Sequence, residues 1–207
     1  MAFVIAIDGP AAAGKGTLAK ALAKELDLAY LDTGSLYRAV GLKAAAAGAL
    51  DQAGPMATAL TPADLNHRDL RTAEAGTYAS KVAAQPEVRQ ALFDFQRSFG
   101  LTPPEGKSGA VLDGRDIGTV IFPEAPVKFF ITASPEVRAQ RRYDELAPDR
   151  RPTFAAMLAQ VKERDARDSG RKDAPLRPAE DAHLIDTSDM GAAEVLNLAL
   201  LIVAKTR

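Results

Sequence analysis

The segment GPAAAGKGT, residues 9–17, directly follows the apolar run FVIAID and constrains the fold more than any other part of the chain. A buried strand, a glycine-rich turn and a helix that begins near Lys15 form a cradle for an anion, because backbone N–H groups and the helix dipole point inward. The segment matches the phosphate-binding pattern G-x-x-x-x-G-K-S/T as far as Lys15, but Gly16 takes the place of the hydroxyl residue and Thr17 follows one position late. The sequence therefore predicts a nucleotide site with unusual magnesium ligation; the alternative is a glycine-rich turn that binds nothing.

The rest of the chain alternates between apolar runs and helical patterns. Five runs predict buried strands, at residues 3–7, 28–32, 110–113, 127–132 and 183–186. Pro86 and Pro135 each open a helical pattern, and Ser188 or Asp189 is the predicted cap of the last helix. The alternation predicts an α/β fold, a P-loop NTPase-type five-stranded parallel sheet with helices on both faces. Ligands of such sheets bind at the carboxyl ends of the strands.

Two segments interrupt this alternation. Residues 48–72 contain glycine, two prolines and no helical period, and predict a short insert on the acceptor side. The polar stretch at 147–153 predicts a mobile cover, part of a helical lid near residues 148–171. With 207 residues, the chain is expected to be a single domain, 1–207, that carries both segments.

Composition excludes several classes of protein. The chain has no cysteine, which excludes disulfides, thiolate metal sites and a cysteine nucleophile. A formal net charge of −1 offers no general attraction to nucleic acid or to an acidic membrane surface. No apolar run approaches the roughly 18 residues of a membrane-spanning helix, and the amino terminus lacks a basic region typical of a signal peptide. We therefore expect a cytoplasmic enzyme, and we assign no catalytic part to His67 or His183, its two histidines.

Charged residues cluster in three further segments. Asp113 ends the strand pattern VLDG, as a Walker-B aspartate does, so we expect Asp113 and Thr17 to hold Mg²⁺ through water. The remaining candidates follow a predicted strand or share the spacing of one helical face: Tyr37, Arg38, Arg115, Asp116, Arg164, Arg167, Asp168 and Arg171. A solvated, salt-bridged helix is the alternative for the last four. Beside a phosphate cradle we favour a binding role, because convergent guanidinium groups offset the repulsion between two phosphorylated substrates.

Six segments, in their order along the chain, resemble the bacterial cytidylate (CMP/dCMP) kinase family among the P-loop nucleoside-monophosphate kinases. They are GPAAAGKGT, YLDTGSLYRAV, SKVAAQPEVRQAL, VLDGRDIGTVIFPEAPVKFF, RAQRRYDEL and KERDARDSGRKDAPL. The resemblance runs from the first strand to the last helix. It implies transfer of the γ-phosphoryl group of ATP, with Mg²⁺, to CMP and dCMP, by a monomer with no nucleic-acid or membrane partner. The family usually has a longer insert with a small three-stranded sheet where this chain has residues 48–72.

The resemblance also implies a role for each matching residue. ATP would be bound by Gly9, Pro10, Ala11, Ala12, Ala13, Gly14, Lys15, Gly16 and Thr17. CMP would be bound by Thr33, Tyr37, Arg38, Ser80, Arg89, Arg115, Asp116, Arg164, Asp168 and Arg171. The catalytic charges would be those of Lys15, Arg115, Arg164, Arg167 and Arg171.

Cytosine suits the residues assigned to the base. A carboxylate such as Asp116 can accept from the N4 amino group, and Arg89 can donate to N3 or O2. Uracil inverts this pattern and leaves buried polar groups unpaired. Two alternatives remain open: another P-loop small-molecule kinase with a UMP, AMP or shikimate-type acceptor, and a nucleotide-dependent nucleic-acid-binding module. The acidic residues interleaved with the arginines disfavour the second alternative.

Overall fold

The computed structural model describes residues 2–206 and contains the five strands that the sequence predicts. All five are parallel and form one sheet in the order β2-β3-β1-β4-β5. Their bounds are β1 Phe3–Asp8, β2 Ala29–Asp32, β3 Gly109–Gly114, β4 Val127–Thr132 and β5 His183–Asp186. Because the register pairs Ile7 with Asp113 and Asp113 with Asp32, the ends of β1, β2 and β3 meet at one edge.

The helices cover both faces of this sheet. Their bounds are α1 Lys15–Glu25, α2 Thr33–Ala46, α3 Gly54–Thr58, α4 Ala73–Val82, α5 Pro86–Leu101, α6 Pro135–Glu145, α7 Phe154–Ser169 and α8 Ala192–Thr206. A π-helical turn, Ile117–Ile121, follows β3. Pro86 and Pro135 stand in the first turns of α5 and α6, as predicted.

Successive side chains of β1 point to opposite faces of the sheet, and each face packs against its own hydrophobic core. Val4 and Ala6 point to the core shared with α2, α4 and α5, whereas Ile5 and Ile7 point to the core shared with α1 and α8. Burying apolar side chains on both faces is the main force that holds a parallel sheet of this kind together. A third, small cluster of Ala139, Met157 and Val161 joins α6 to α7.

One segment has more regular structure than its sequence pattern indicates, and one local prediction is wrong. Residues 48–72 form α3 and short 3₁₀ turns, and Ala53, Ala57 and Leu70 are buried. The last helix begins at Ala192, so neither Ser188 nor Asp189 is its cap. The Ser188 hydroxyl instead donates to Asp186 and accepts from the backbone N–H of Ser134, which ties two strand ends together.

Candidate active site

The glycine-rich loop connects β1 to α1 and brings Lys15 to the edge of the sheet. Gly9 has φ +145°, and a Cβ there would lie 1.9 Å from the Ile131 carbonyl oxygen, so only glycine fits this exit from the strand. Lys15 is buried, and its Nζ donates to the Pro10 carbonyl at 2.7 Å. Burial, reinforced by the neighbouring charge of Arg115, lowers the pKa of Lys15 to about 7.

A cavity of about 210 Å³ opens beside Lys15 at the carboxyl ends of the strands. All ten residues that the resemblance assigns to the acceptor line it: Thr33, Tyr37, Arg38, Ser80, Arg89, Arg115, Asp116, Arg164, Asp168 and Arg171. They come from α2, α4, α5, the end of β3, α7 and the segment that follows α7. The tertiary structure thus brings distant segments of the chain to one concave surface.

Asp168 is the centre of the arginine cluster. Its buried carboxylate accepts from Arg115 Nε at 3.0 Å, from an Arg171 guanidinium nitrogen at 2.5 Å and from the Ser80 hydroxyl at 3.2 Å, with Arg164 Nε at 4.0 Å. Burial opposes its ionisation, but the charges of Arg115, Arg171 and Arg164 outweigh this and hold the pKa of Asp168 below its ordinary value. One carboxylate therefore orders three guanidinium groups around the cavity.

Several arginines of the cavity have hydrogen-bond donors that no group in the described part of the chain accepts from. Among residues 2–206, the Nε atoms of Arg38, Arg164 and Arg171 are buried with no hydrogen-bond partner. Burial and the charge of Arg115 lower the pKa of Arg164 to about 9. Buried donors and positive charge without full compensation favour the binding of an anion with several acceptor oxygens, such as a phosphate group.

Arg89 and Asp116, both of which line the cavity, form an ion pair in which Asp116 is buried and Arg89 is partly buried. Arg89 also lies over the ring of Tyr37, with 5.9 Å from its Cζ to the ring centroid. Burial raises the pKa of Asp116, against the lowering effect of Arg89 and Arg171. A carboxylate and a guanidinium side by side offer one acceptor and several donors to a planar, hydrogen-bonding ligand.

Hydrogen bonds fix the side chains at the carboxyl ends of β1, β2 and β3, next to the cavity. The Thr33 hydroxyl donates to the Asp113 carbonyl at 2.8 Å, and the Tyr30 hydroxyl donates to Asp113 Oδ1 at 2.9 Å. Burial raises the pKa of Asp113. At the end of β1, the buried carboxylate of Asp8 accepts from the N–H groups of Ile117, at 2.8 Å, and Gly118, at 2.7 Å.

Two predicted site residues lie elsewhere. Arg167 is outside the cavity and pairs with Glu163 at 2.5 Å; three positions rotate it by about 60° from Arg164 around the helix axis. Helix α7 ends at Ser169, so Arg171 lies beyond the helix and contacts Asp168 from there. The prediction that Arg164, Arg167, Asp168 and Arg171 share one helical face is therefore wrong. Thr17 is exposed and lines a second cavity, whereas Asp113 lines the first.

Sequence reasoning missed several residues of the site. Asp32 lines the cavity, pairs with Arg38 and caps α2 by accepting from the Ser35 N–H at 3.1 Å. The pattern D-x-x-S after a strand was a signal for this cap. Arg142 also lines the cavity. The resemblance assigns the arginines of residues 138–167, as a group with Lys15, to ATP and the transferring group, but nothing in RAQRRYDEL distinguishes Arg142 from its two neighbouring arginines.

A second cavity, of about 730 Å³, lies on the outer side of the glycine-rich loop. Loop residues and α1 form one wall, and α6 and the start of α8 form the other; its lining includes Thr17, Leu18, Arg141, Met190 and Leu196. Arg141 is fixed there by donating to the Thr187 hydroxyl at 3.0 Å and to the Thr187 carbonyl at 2.7 Å. This larger, more apolar space adjoins the phosphate cradle and can take a flat, apolar ring.

Within residues 2–206, no group of three or more His, Cys, Asp or Glu side chains could hold a metal ion by itself. The helices described in this range are too short or too polar to cross a bilayer.

Known proteins are similar to this chain in sequence and in fold. A family model described as "Cytidylate kinase" matches residues 5–205. Two relatives with that name, from Paramagnetospirillum magneticum and Rhodospirillum rubrum, are 56% and 55% identical and cover 100% and 97% of this chain and of their own. A gluconokinase structure from Sinorhizobium meliloti has a TM-score of 0.52 at 14% identity, covering 98% of this chain and 92% of its own. A shikimate kinase structure from Bacteroides thetaiotaomicron has a TM-score of 0.50 at 14% identity, covering 99% and 98%. At such low identity, the two structures are similar in fold alone.

Proposed function

The chain belongs to the cytidylate kinase family, and we propose that its central cavity is where CMP receives the γ-phosphoryl group of ATP. The enzyme transfers this group from ATP to CMP and forms CDP and ADP. The alternative acceptors of other P-loop kinases are not favoured, since the relatives that share more than half of the sequence are cytidylate kinases. The observation that carries the proposal for the site is the convergence on one cavity, beside Lys15, of arginines from α2, α5, α6, α7 and the segments that follow β3 and α7.

The acceptor nucleotide spans the central cavity in our proposal. Its phosphate is held by Arg38, Arg115 and Arg171, because all three line the cavity and the Nε atoms of Arg38 and Arg171 are buried without a hydrogen-bond partner among the residues that the structure describes. Its ribose faces Arg164 and Asp168. Its base lies between Ser80, Arg89 and Asp116, with Thr33 and Tyr37 beside it.

The donor occupies the glycine-rich loop and the second cavity. The phosphates of ATP bind the backbone N–H groups from Gly9 to Thr17, and the adenine ring enters the apolar space near Arg141 and Leu196. Lys15 is then opposite the acceptor arginines, with its ammonium beside the β- and γ-phosphates. The lowered pKa of Lys15 in the protein alone rises when the phosphate charges arrive, because an opposite charge favours the ammonium form.

Mg²⁺ is the metal that such a donor requires, and the residues present fit it. Mg²⁺ is usually held by one or two carboxylates together with phosphates and water, and Asp113 is a buried carboxylate that lines the cavity. Asp113 would hold the ion, which would neutralise charge that develops on the phosphates during transfer. Thr17 is better placed for the donor's phosphates than for the ion, since it lines the second cavity.

Catalysis by this site consists of positioning and charge compensation. The acceptor is a phosphate monoester whose second pKa is near 6, so it is already mostly dianionic at pH 7 and needs no general base. Lys15, Arg115, Arg164 and Arg171 stabilise the charge on the transferring group. Arg167, paired with Glu163 in a side cavity, has at most an indirect part.

Finer proposals complete this picture. Residues 48–72 and 148–171 cover the substrates and exclude water, since an exposed donor would lose its phosphoryl group to hydrolysis. dCMP is also an acceptor. The enzyme acts as a monomer. It acts in the cytoplasm, where ATP and CMP are available. The net charge of −1 argues against a nucleic-acid partner.

An acceptor panel tests the function and the base assignment together. In a coupled assay that detects ADP, with MgATP fixed, we expect CMP and dCMP to give a kcat/KM at least about 100-fold above that of UMP or AMP. Turnover of UMP or AMP that exceeds turnover of CMP would contradict the proposed base assignment.

A further inference from the structure

The glycine-rich loop lacks the side-chain hydroxyl that its motif normally provides after the lysine. In the pattern G-x-x-x-x-G-K-S/T this hydroxyl binds Mg²⁺, and here the position is Gly16. A Cβ placed on Gly16 would lie 3.8 Å from the Tyr30 hydroxyl oxygen and 3.9 Å from Asp113 Oδ2. The space where the usual hydroxyl would be is therefore bordered by a different hydroxyl and by the candidate metal-binding carboxylate.

Tyr30 reaches this space from the neighbouring part of the sheet. It lies on β2, directly paired with Val111 of β3, two residues before Asp113. Its hydroxyl donates to Asp113 Oδ1 at 2.9 Å, so the carboxylate is fixed with Oδ2 on the side of Gly16. Lys20 of α1 lies over the ring, with 5.8 Å from its Nζ to the ring centroid, and helps to hold the tyrosine in place.

We propose that the Tyr30 hydroxyl compensates for the missing loop hydroxyl, as a positioning residue that fixes Asp113 toward the divalent cation of MgATP. This inference rests on the proposed function. It also explains how Gly16 is compatible with a metal-dependent donor: α1 supplies no hydroxyl to bind the ion, and a hydroxyl from β2 instead orients the carboxylate that would bind it. A purely structural role, in which Tyr30 only satisfies a buried carboxylate, is the competing explanation.

Direct binding measurements separate the two explanations. Calorimetric titration of the full chain with ATP, once with excess Mg²⁺ and once with EDTA, gives the dissociation constants of MgATP and of metal-free ATP. For Tyr30→Phe we expect MgATP binding to weaken about 10-fold, the lower range for loss of a group that orients a metal ligand, and metal-free ATP binding to change less than about 2-fold. The Mg²⁺ concentration for half-maximal turnover should rise by a similar factor.

A second substitution tests the replacement itself. The contacts at Gly16 leave ordinary van der Waals room for a Cβ, so Gly16→Ser can restore a loop hydroxyl without displacing backbone. In the Tyr30→Phe background, Gly16→Ser is expected to recover most of the lost MgATP affinity. Tyr78→Phe is the matched control: its hydroxyl donates to Glu74 on an exposed helix surface, and its loss should leave both dissociation constants unchanged.

The outcomes are distinct. Equal weakening of MgATP and metal-free ATP by Tyr30→Phe, no weakening of either, or no recovery with Gly16→Ser would overturn the proposal. Thermal unfolding of each variant checks folding. Should Tyr30→Phe not fold, Gly16→Ser alone decides the question: because Tyr30 already makes up for the missing hydroxyl, the dissociation constant of MgATP should change less than about 2-fold, and a gain of about 10-fold would contradict the proposal. Failure of the unsubstituted chain to phosphorylate CMP would instead refute the proposed function.

Discussion

At the scale of single residues, the site depends on ionisable groups that burial has shifted from their ordinary behaviour. Lys15 and Arg164 have lowered pKa values, because burial and the neighbouring Arg115 disfavour their charged forms. Asp116 has a raised pKa, and its pairing with Arg89 keeps a carboxylate available in a buried place. Perturbed ionisable groups that face one cavity are typical of a catalytic or binding site.

Substitution of Asp116 tests the base assignment at this scale. In Asp116→Asn the amide can turn either its oxygen or its nitrogen to the base, so discrimination between the N4 amino group of cytosine and O4 of uracil is lost. We expect the ratio of kcat/KM for CMP to that for UMP to fall by about 10- to 100-fold. Steady-state kinetics with both acceptors measures it. Asp181→Asn, which removes an exposed carboxylate paired with Lys128, is the control, and an unchanged ratio in Asp116→Asn contradicts its role in reading the base.

At the scale of elements, one carboxylate connects the donor loop to the acceptor-binding segment. Asp8 ends β1 immediately before Gly9, and it accepts from the first two N–H groups of the π-helical turn that follows Arg115 and Asp116. Burial raises the pKa of Asp8 from its ordinary value of 3.8 to about 7, although both backbone hydrogen bonds act to lower it. The alignment of the two substrate-binding segments therefore depends on a buried group that titrates near neutral pH.

This shift makes stability depend on pH in a predictable direction. Since the pKa of Asp8 is higher in the folded chain than in the unfolded chain, its contribution to stability is fully present below about pH 4 and is lost as pH rises through about 7. Asp8→Asn cannot titrate, so over this range the free energy of unfolding of the parent should decrease relative to that of the variant, by roughly 2 to 4 kcal/mol. Denaturant unfolding at several pH values measures the difference. Parallel curves for the two proteins would show that Asp8 does not titrate as stated.

At the scale of the whole molecule, the proposed cover of residues 148–171 packs through a hydrophobic cluster separate from the two cores of the sheet. Two cores hold the helices against the two faces of the sheet, whereas α6 and α7 meet through the small cluster of Ala139, Met157 and Val161. The α7 helix nevertheless carries Arg164 and Asp168 into the site, and Arg138 of α6 binds Asp165 through two hydrogen bonds, at 2.9 and 2.6 Å. A cover with little buried apolar surface of its own can open at lower cost than the cores.

Hydrogen exchange tests closure of this cover. With a nonhydrolysable ATP analogue and CMP together, backbone amides in residues 148–171 should exchange at least about 5-fold more slowly than with either nucleotide alone, because closure needs both sets of phosphate charges. Amides of β1 and β3, in the sheet, serve as the internal reference. Equal protection by CMP alone would show that the cover closes on the acceptor without the donor.

The sequence by itself determined the architecture and the family. Local patterns predict the strand positions, the glycine-rich loop and the helices that begin with proline. They do so because burial on two faces of a sheet and the backbone geometry of turns restrict which residue types can occupy neighbouring positions. Similarity to the family also predicted the ten residues that bind the acceptor, and all ten line one cavity. The sequence also shows that glycine, at position 16, replaces the hydroxyl residue of the motif.

Only the tertiary structure decided which charged residues meet. The helical spacing did not show that Arg167 turns toward Glu163, that Thr17 and Asp113 face different cavities, or that Asp32 and Arg142 join the site. The contact between Tyr30 and Asp113 joins residues 83 positions apart in the chain. Such pairings depend on the order and register of the strands and on small rotations of packed helices, and a local pattern in the sequence does not carry that information.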